Sequence, residues 1–137
     1  MLEGRIEFRQ LPIHTDYGQV IHNVYYVLEN NRSKVMDHFR QLSKSEQDLI
    51  KDLIIKMATV ENFKSPKIKY NLRGYDYGEI RPMPHRFFFF QRYGNNIIFF
   101  DYIMKKKSSL KDEIYKRLER DKERYEKEFE KFVRRHR

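Results

Sequence analysis

The chain has 137 residues and no cysteine, with 29 Lys and Arg against 20 Asp and Glu, for a net charge of +9. That length suits one domain with its own core, and we take 1–137 as a single unit. The lack of cysteine excludes a disulfide framework, a thiolate nucleophile and every cysteine-containing zinc site. No apolar run approaches the roughly 20 residues that span a bilayer, and Met1 to Gln10 lacks the apolar stretch of a signal peptide. The expectation is a cytoplasmic protein with no membrane partner.

The first 18 residues form an extension of undefined role, in which Arg5 to Arg9 alternates polar and apolar like a short edge strand. Val20 to Leu28 is rich in β-branched and aromatic side chains and predicts a strand, closed by Asn30-Asn31. Two helices follow. Ser33 caps the first, whose apolar positions are Val35, Met36, Phe39 and Leu42. Ser45 with Asp48 predicts a capping box opening the second, with Leu49, Ile50, Leu53, Ile54 and Met57 on one stripe. The short Ser43-Lys44 break between them predicts a helical hairpin.

From Ser65 to Met104 the apolar period falls to 2 and predicts three strands, at about Tyr75–Arg81, Arg86–Arg92 and Asn96–Met104. The prolines of Pro82-Met83-Pro84-His85 interrupt the first pairing, and Gly94-Asn95 or Asn95-Asn96 turns the second. Ser109 to Arg137 predicts one long helix, with Leu110, Ile114, Leu118, Tyr125, Phe129 and Phe132 on one face. The fold class is α+β: an N-terminal strand, a helical hairpin, a three-stranded antiparallel sheet and a long C-terminal helix. Phe87 to Phe90 and Phe99-Phe100 place apolar residues on both faces of the sheet, so both must be covered.

Charge is unevenly spread. Residues 33–61 hold five basic and five acidic side chains; residues 64–92 hold seven and two, and residues 105–137 hold fourteen and eight. A field concentrated in this way attracts polyanions. A four-residue loop at 82–85 sets Arg81 directly opposite Arg86, and an Asn95-Asn96 turn sets Lys105 opposite Arg86. These three cations then converge on one face, where an anionic ligand would relieve their mutual repulsion. Lys106 and Lys107 extend the cluster. The alternative is a set of side chains splayed into water.

Glu79 shares the Arg81 face and is expected to orient it by a salt bridge. His85, beside the two arginines, is a candidate general acid or base. His14, His22, His38, His85 and His136 show no metal-ligand spacing, and there is no glycine-rich phosphate loop, so no metal and no cofactor is expected.

Leu72-Arg73-Gly74, Glu79-Ile80-Arg81, His85-Arg86-Phe87-Phe88-Phe89-Phe90, Gly94, Ile97-Ile98 and Lys105-Lys106-Lys107 occur in this order. Together they resemble the toxins of the RelE/ParE superfamily, nearest the HigB-like, phage-associated branch, over about residues 20 to 129. Ser108-Ser109-Leu110 stands where that branch has Thr-Pro, and His85 where Tyr often precedes the strand arginine. The resemblance implies the RelE-like fold and a type II toxin, an endoribonuclease (mRNA interferase) that cuts mRNA on the ribosome and is neutralised by a cognate antitoxin of helix-turn-helix type.

It further implies that Arg86 holds the transition-state phosphate, with Arg81 assisting. Lys105 or Lys106 would contact the substrate backbone or carry a proton. The catalytic candidates are thus Arg86, Lys105, Lys106, Arg81 and His85; Lys67, Lys69, Arg73 and Lys107 are the candidates for RNA binding. Two other readings stay open: a non-enzymatic ParE-like gyrase poison, and a basic RNA- or ribosome-binding module.

Overall fold

Alternation along the two most apolar strands decides the architecture. In the computed structural model, which describes residues 4–16, 18–92, 94–105 and 110–136, strand β5 (His85–Arg92) pairs antiparallel with β6 (Asn96–Met104) at the centre of a sheet. Phe87 and Phe89 point to one face, Phe88 and Phe90 to the other, and all four are at most 2% exposed. A sheet apolar on both faces is stable only with a layer on each.

One layer is the helix pair α1 (Lys34–Arg40) and α2 (Lys44–Thr59). Val35, Ile50, Leu53 and Met57 pack there against Phe87, Phe89, Ile97 and Phe99. Ser33 caps α1 as expected, its Oγ accepting from the Met36 N–H at 3.1 Å. The capping box of α2 is built two residues earlier than expected. Ser43 Oγ accepts from Glu46 N–H at 3.2 Å, and Glu46 Oε1 accepts from Ser43 N–H at 3.1 Å. Glu, one methylene longer than Asp, reaches back to the cap where Asp48 would fall short.

The second layer is α3 (Asp112–Arg135), which presents Tyr115, Leu118, Tyr125 and Phe129 to Phe88, Phe90, Ile98 and Phe100. Each such buried side chain contributes about 1.5–3 kcal/mol. Lys122 falls on the same stripe and is buried, its ammonium 3.7 Å from Asp76 and 3.6 Å from Glu126.

The sheet has six strands, not three. β1 (Ile6–Leu11) and β2 (Asn23–Glu29) form an antiparallel pair, and β2 joins β6 in parallel through Asn23↔Asn96 to Tyr26↔Phe99. On the other side β5 pairs with β4 (Gly78–Ile80), and β4 with the two-residue β3 (Ile68–Lys69). The order is β1-β2-β6-β5-β4-β3. The helical segments fit their expected positions, α3 within Asp112–Arg135 of the described residues.

The β5–β6 register corrects the expected one. Arg92↔Asn96 leaves three residues in the turn rather than two, and the pairing then shifts between Phe88↔Asp101 and Phe89↔Phe99. Phe100 is the extra residue of a bulge. In consequence Arg86 faces Ile103, and Lys105 is not opposite it.

Candidate functional site

On the α3 face, beside the β3 edge, four basic side chains line one cleft of ≈ 570 Å³: Lys69, Arg73, Arg81 and Arg86. Each arrives by a different local device. Lys69 sits in β3, across from Glu79. Arg73 lies in the short 3-10 turn Leu72–Gly74 with φ 51°, a left-handed conformation that a non-glycine residue rarely adopts. Its guanidinium lies over the Tyr115 ring, 4.8 Å from the centroid, and 3.2 Å from the Asp112 carboxylate.

Arg81 and Arg86 flank the turn between β4 and β5. The register Gly78↔Phe89, Glu79↔Phe88, Ile80↔Phe87, carried one residue further, sets them opposite each other as expected. Both guanidinium groups approach one oxygen, Glu79 Oε1, at 3.4 Å from Arg81 Nε and 3.9 Å from Arg86 Nη1. Glu79 is therefore the common anchor of the two cations, and orients Arg86 as well as Arg81.

Glu79 is sealed from solvent at 1% exposure. Burial pushes its carboxyl above the usual range, against the pull of Arg86, Arg81 and Lys69. Its second oxygen, Oε2, is buried and accepts no hydrogen bond among the described residues. The cleft thus combines cations held in fixed positions with a carboxyl of raised proton affinity. Cations fixed in this way suit an anionic ligand.

His85 is not part of it. As the first residue of β5 it takes the opposite face from Arg86 by simple alternation. There its Nε2 lies 2.8 Å from Glu46 Oε2 and its Nδ1 2.6 Å from the Tyr102 hydroxyl. His38 stacks on the same Tyr102 ring at 4.2 Å. This chain of groups ties the start of α2 to the central hairpin and corrects the expectation that His85 joins the arginines.

Lys105 follows the end of β6, where its N–H donates to the Pro84 carbonyl at 2.8 Å, and it does not line the cleft. Nor does Lys67, whose side chain is exposed and whose carbonyl accepts from Arg81 N–H. Lys106 and Lys107 lie outside the described residues. Sequence reasoning missed Tyr70, Asn71, Met83 and Tyr115 as lining residues. Tyr115 had a signal, since it stands three residues before Leu118 on the apolar face of α3.

Among the described residues no group of three or more His, Asp or Glu side chains is placed to hold a metal ion, and no helix is long and apolar enough to cross a membrane. No protein-family model, curated protein or solved structure matches the chain.

Proposed function

We propose that this protein is a toxin of a type II toxin–antitoxin system that cleaves mRNA on the ribosome, with the Lys69/Arg73/Arg81/Arg86 cleft as its active site. The observation that carries the reading is that two arginines flanking the β4–β5 turn meet one buried carboxylate inside a cationic cleft. The ordered sequence motifs that resemble the RelE/ParE toxins support it independently.

The chemistry follows from charge. The 2′-oxygen of a ribose gives its proton to water and attacks the adjacent phosphorus, the bond to the 5′-oxygen breaks as that oxygen takes a proton from water, and the products are a 2′,3′-cyclic phosphate and a 5′-hydroxyl. Negative charge grows on the phosphorane oxygens, and Arg81 and Arg86, already fixed in place, stabilise it without reorganising. Glu79, sealed from solvent with its Oε2 buried, holds the two arginines in place rather than meeting the ribose. Lys69 and Arg73 hold flanking phosphates. A cognate antitoxin, of helix-turn-helix type by the resemblance, would complete the system in a cytoplasmic setting.

The test is to add the protein to a translation extract and map mRNA 5′ ends by primer extension, with Arg86→Ala and Arg81→Ala beside it. Cuts confined to translated message, and reduced about 10²-fold in Arg86→Ala, are the expected result. Intact message with the wild-type protein overturns the ribonuclease reading. Gyrase-dependent DNA breaks would then favour the ParE-like reading, and RNA binding without cleavage the binding module.

A further inference from the structure

Away from the cleft, the C-terminal half of α3 and the edge strand β1 bound a groove of ≈ 1180 Å³. One wall is a row of exposed cations, Arg120, Arg124, Lys127, Lys131 and Arg134 with Arg135, at helical spacings of 4, 3, 4 and 3. Such spacing keeps them on one side of the helix. The row is about 22 Å long at 1.5 Å per residue. Arg5 stands on the β1 wall.

Carboxylates are interleaved, but most are already engaged. Glu7 pairs with Arg5 at 2.9 Å, Glu128 with Lys131 at 3.3 Å, and Glu130 with Arg92. Arg124 is held by Glu29. Arg120, Lys127, Arg134 and Arg135 enter no salt bridge among the described residues, and Glu123 is the one groove carboxylate left beside them. The surplus of charge is therefore positive, carried by Arg120, Lys127, Arg134 and Arg135 alternating with the paired Arg124 and Lys131.

We infer that this groove is a second nucleic-acid site, which takes the sugar-phosphate backbone of duplex RNA. A helical polyanion presents charges every few ångströms of its axis, so a straight cationic row of this length meets several phosphates at once. A lipid surface fits poorly, because an interfacial helix needs an apolar face to insert. The apolar face of α3 is already spent: Phe129 and Phe132 pack on Phe8 and Tyr25 at 5.0–5.7 Å. The choice of RNA over DNA rests on the proposed function. Tyr115 lines the cleft and Arg120 to Arg135 the groove, so a single helix would align a duplex flank with a strand entering the cleft.

The experiment measures fluorescence anisotropy of a labelled RNA duplex of about 16 base pairs with the full chain over a salt series. Lys127→Glu/Arg134→Glu is compared with Lys44→Glu/Lys51→Glu on α2, which makes the same change in net charge. Circular dichroism checks that each variant folds, and Lys127→Gln/Arg134→Gln serves if the reversal does not. The expected result is about a tenfold or greater loss of affinity, and a salt slope shallower by about 1 to 2, in the α3 variant alone. Equal losses in both variants, no loss in the α3 variant, or tighter binding of DNA duplex or of polyglutamate than of RNA would overturn it. Arg86→Ala separates the two proposals, because it reduces cleavage about 10²-fold and takes no cation from the groove. If the wild-type protein cuts no message and α3-dependent duplex binding persists, the ribonuclease reading falls and the groove stands.

Discussion

Glu79 and Arg86 meet inside the protein, Oε1 to Nη1 at 3.9 Å, with side chains 1% and 2% exposed. Two opposite charges withdrawn from water in this way are costly to separate, because each loses a neighbouring charge that offsets part of its burial. Arg86→Met should lower stability by about 3 kcal/mol. Glu79→Gln/Arg86→Met should lose much less than the sum of its single changes. Urea unfolding of the four proteins measures the coupling, and strict additivity would show that the pair does not act as a unit.

The raised proton affinity of Glu79 has a definite sign in stability. Its carboxyl binds a proton more tightly folded than unfolded, so in the window above its ordinary value of 4.5 the folded state carries more protons. Stability contributed by this group is therefore present at low pH and lost as pH rises through the folded pKa. Relative to Glu79→Gln, the wild-type protein should gain stability as pH falls toward 4.5. Denaturation midpoints across that range measure it; a difference that is constant with pH would contradict the burial effect.

His85 offers a separation of fold from chemistry. It hydrogen-bonds Glu46 and Tyr102 on the face away from the cleft. His85→Phe should cost about 1 kcal/mol of stability by taking the hydrogen-bond partner from the buried Tyr102 hydroxyl. It should leave mRNA cleavage per folded molecule within about threefold, since a change remote from the reacting atoms removes no transition-state contact. A much larger loss of cleavage with the fold intact would return His85 to the reaction.

Gly78 controls the cleft wall. A Cβ there would stand 2.4 Å from the Lys69 carbonyl oxygen and 2.8 Å from the Phe89 ring. Gly78→Ala should cost about 1–3 kcal/mol and push β3 from β4, displacing Lys69. Phosphate-backbone affinity should fall together with hydrogen-exchange protection at β3. Unchanged protection would mean that the strand yields without moving.

Much of this arrangement is written in short-range pattern. Ser33, the apolar stripes of α2 and α3, and the two-sided run Phe87 to Phe90 each mark their element by spacing alone. So does the opposition of Arg81 and Arg86, which depends only on the turn between them. Longer-range features are not written that way. The parallel β2–β6 pairing joins residues more than seventy positions apart and has no local turn to announce it. β3 is two residues long and acquires strand character only from β4. The three-residue turn closed by Arg92↔Asn96 carries Lys105 away from Arg86, and the bulge at Phe100 restores only one residue of that shift. His85 departs from expectation for a simpler reason: the prolines before it mark a loop, whereas it is the first residue of β5 and alternation fixes its face.

The parallel pairing of β2 with β6 also bears on the order in which the protein assembles. Both cores are built on β6, and β1 and β2 reach the sheet only through it. A ribosome making the chain would release the arginines of the cleft before the strand that anchors their hairpin, so neither layer could close until β6 was synthesised. Contacts of such sequence separation also fold slowly. The cleft therefore stays unfinished until β6 and the Tyr115 turn of α3 have been made.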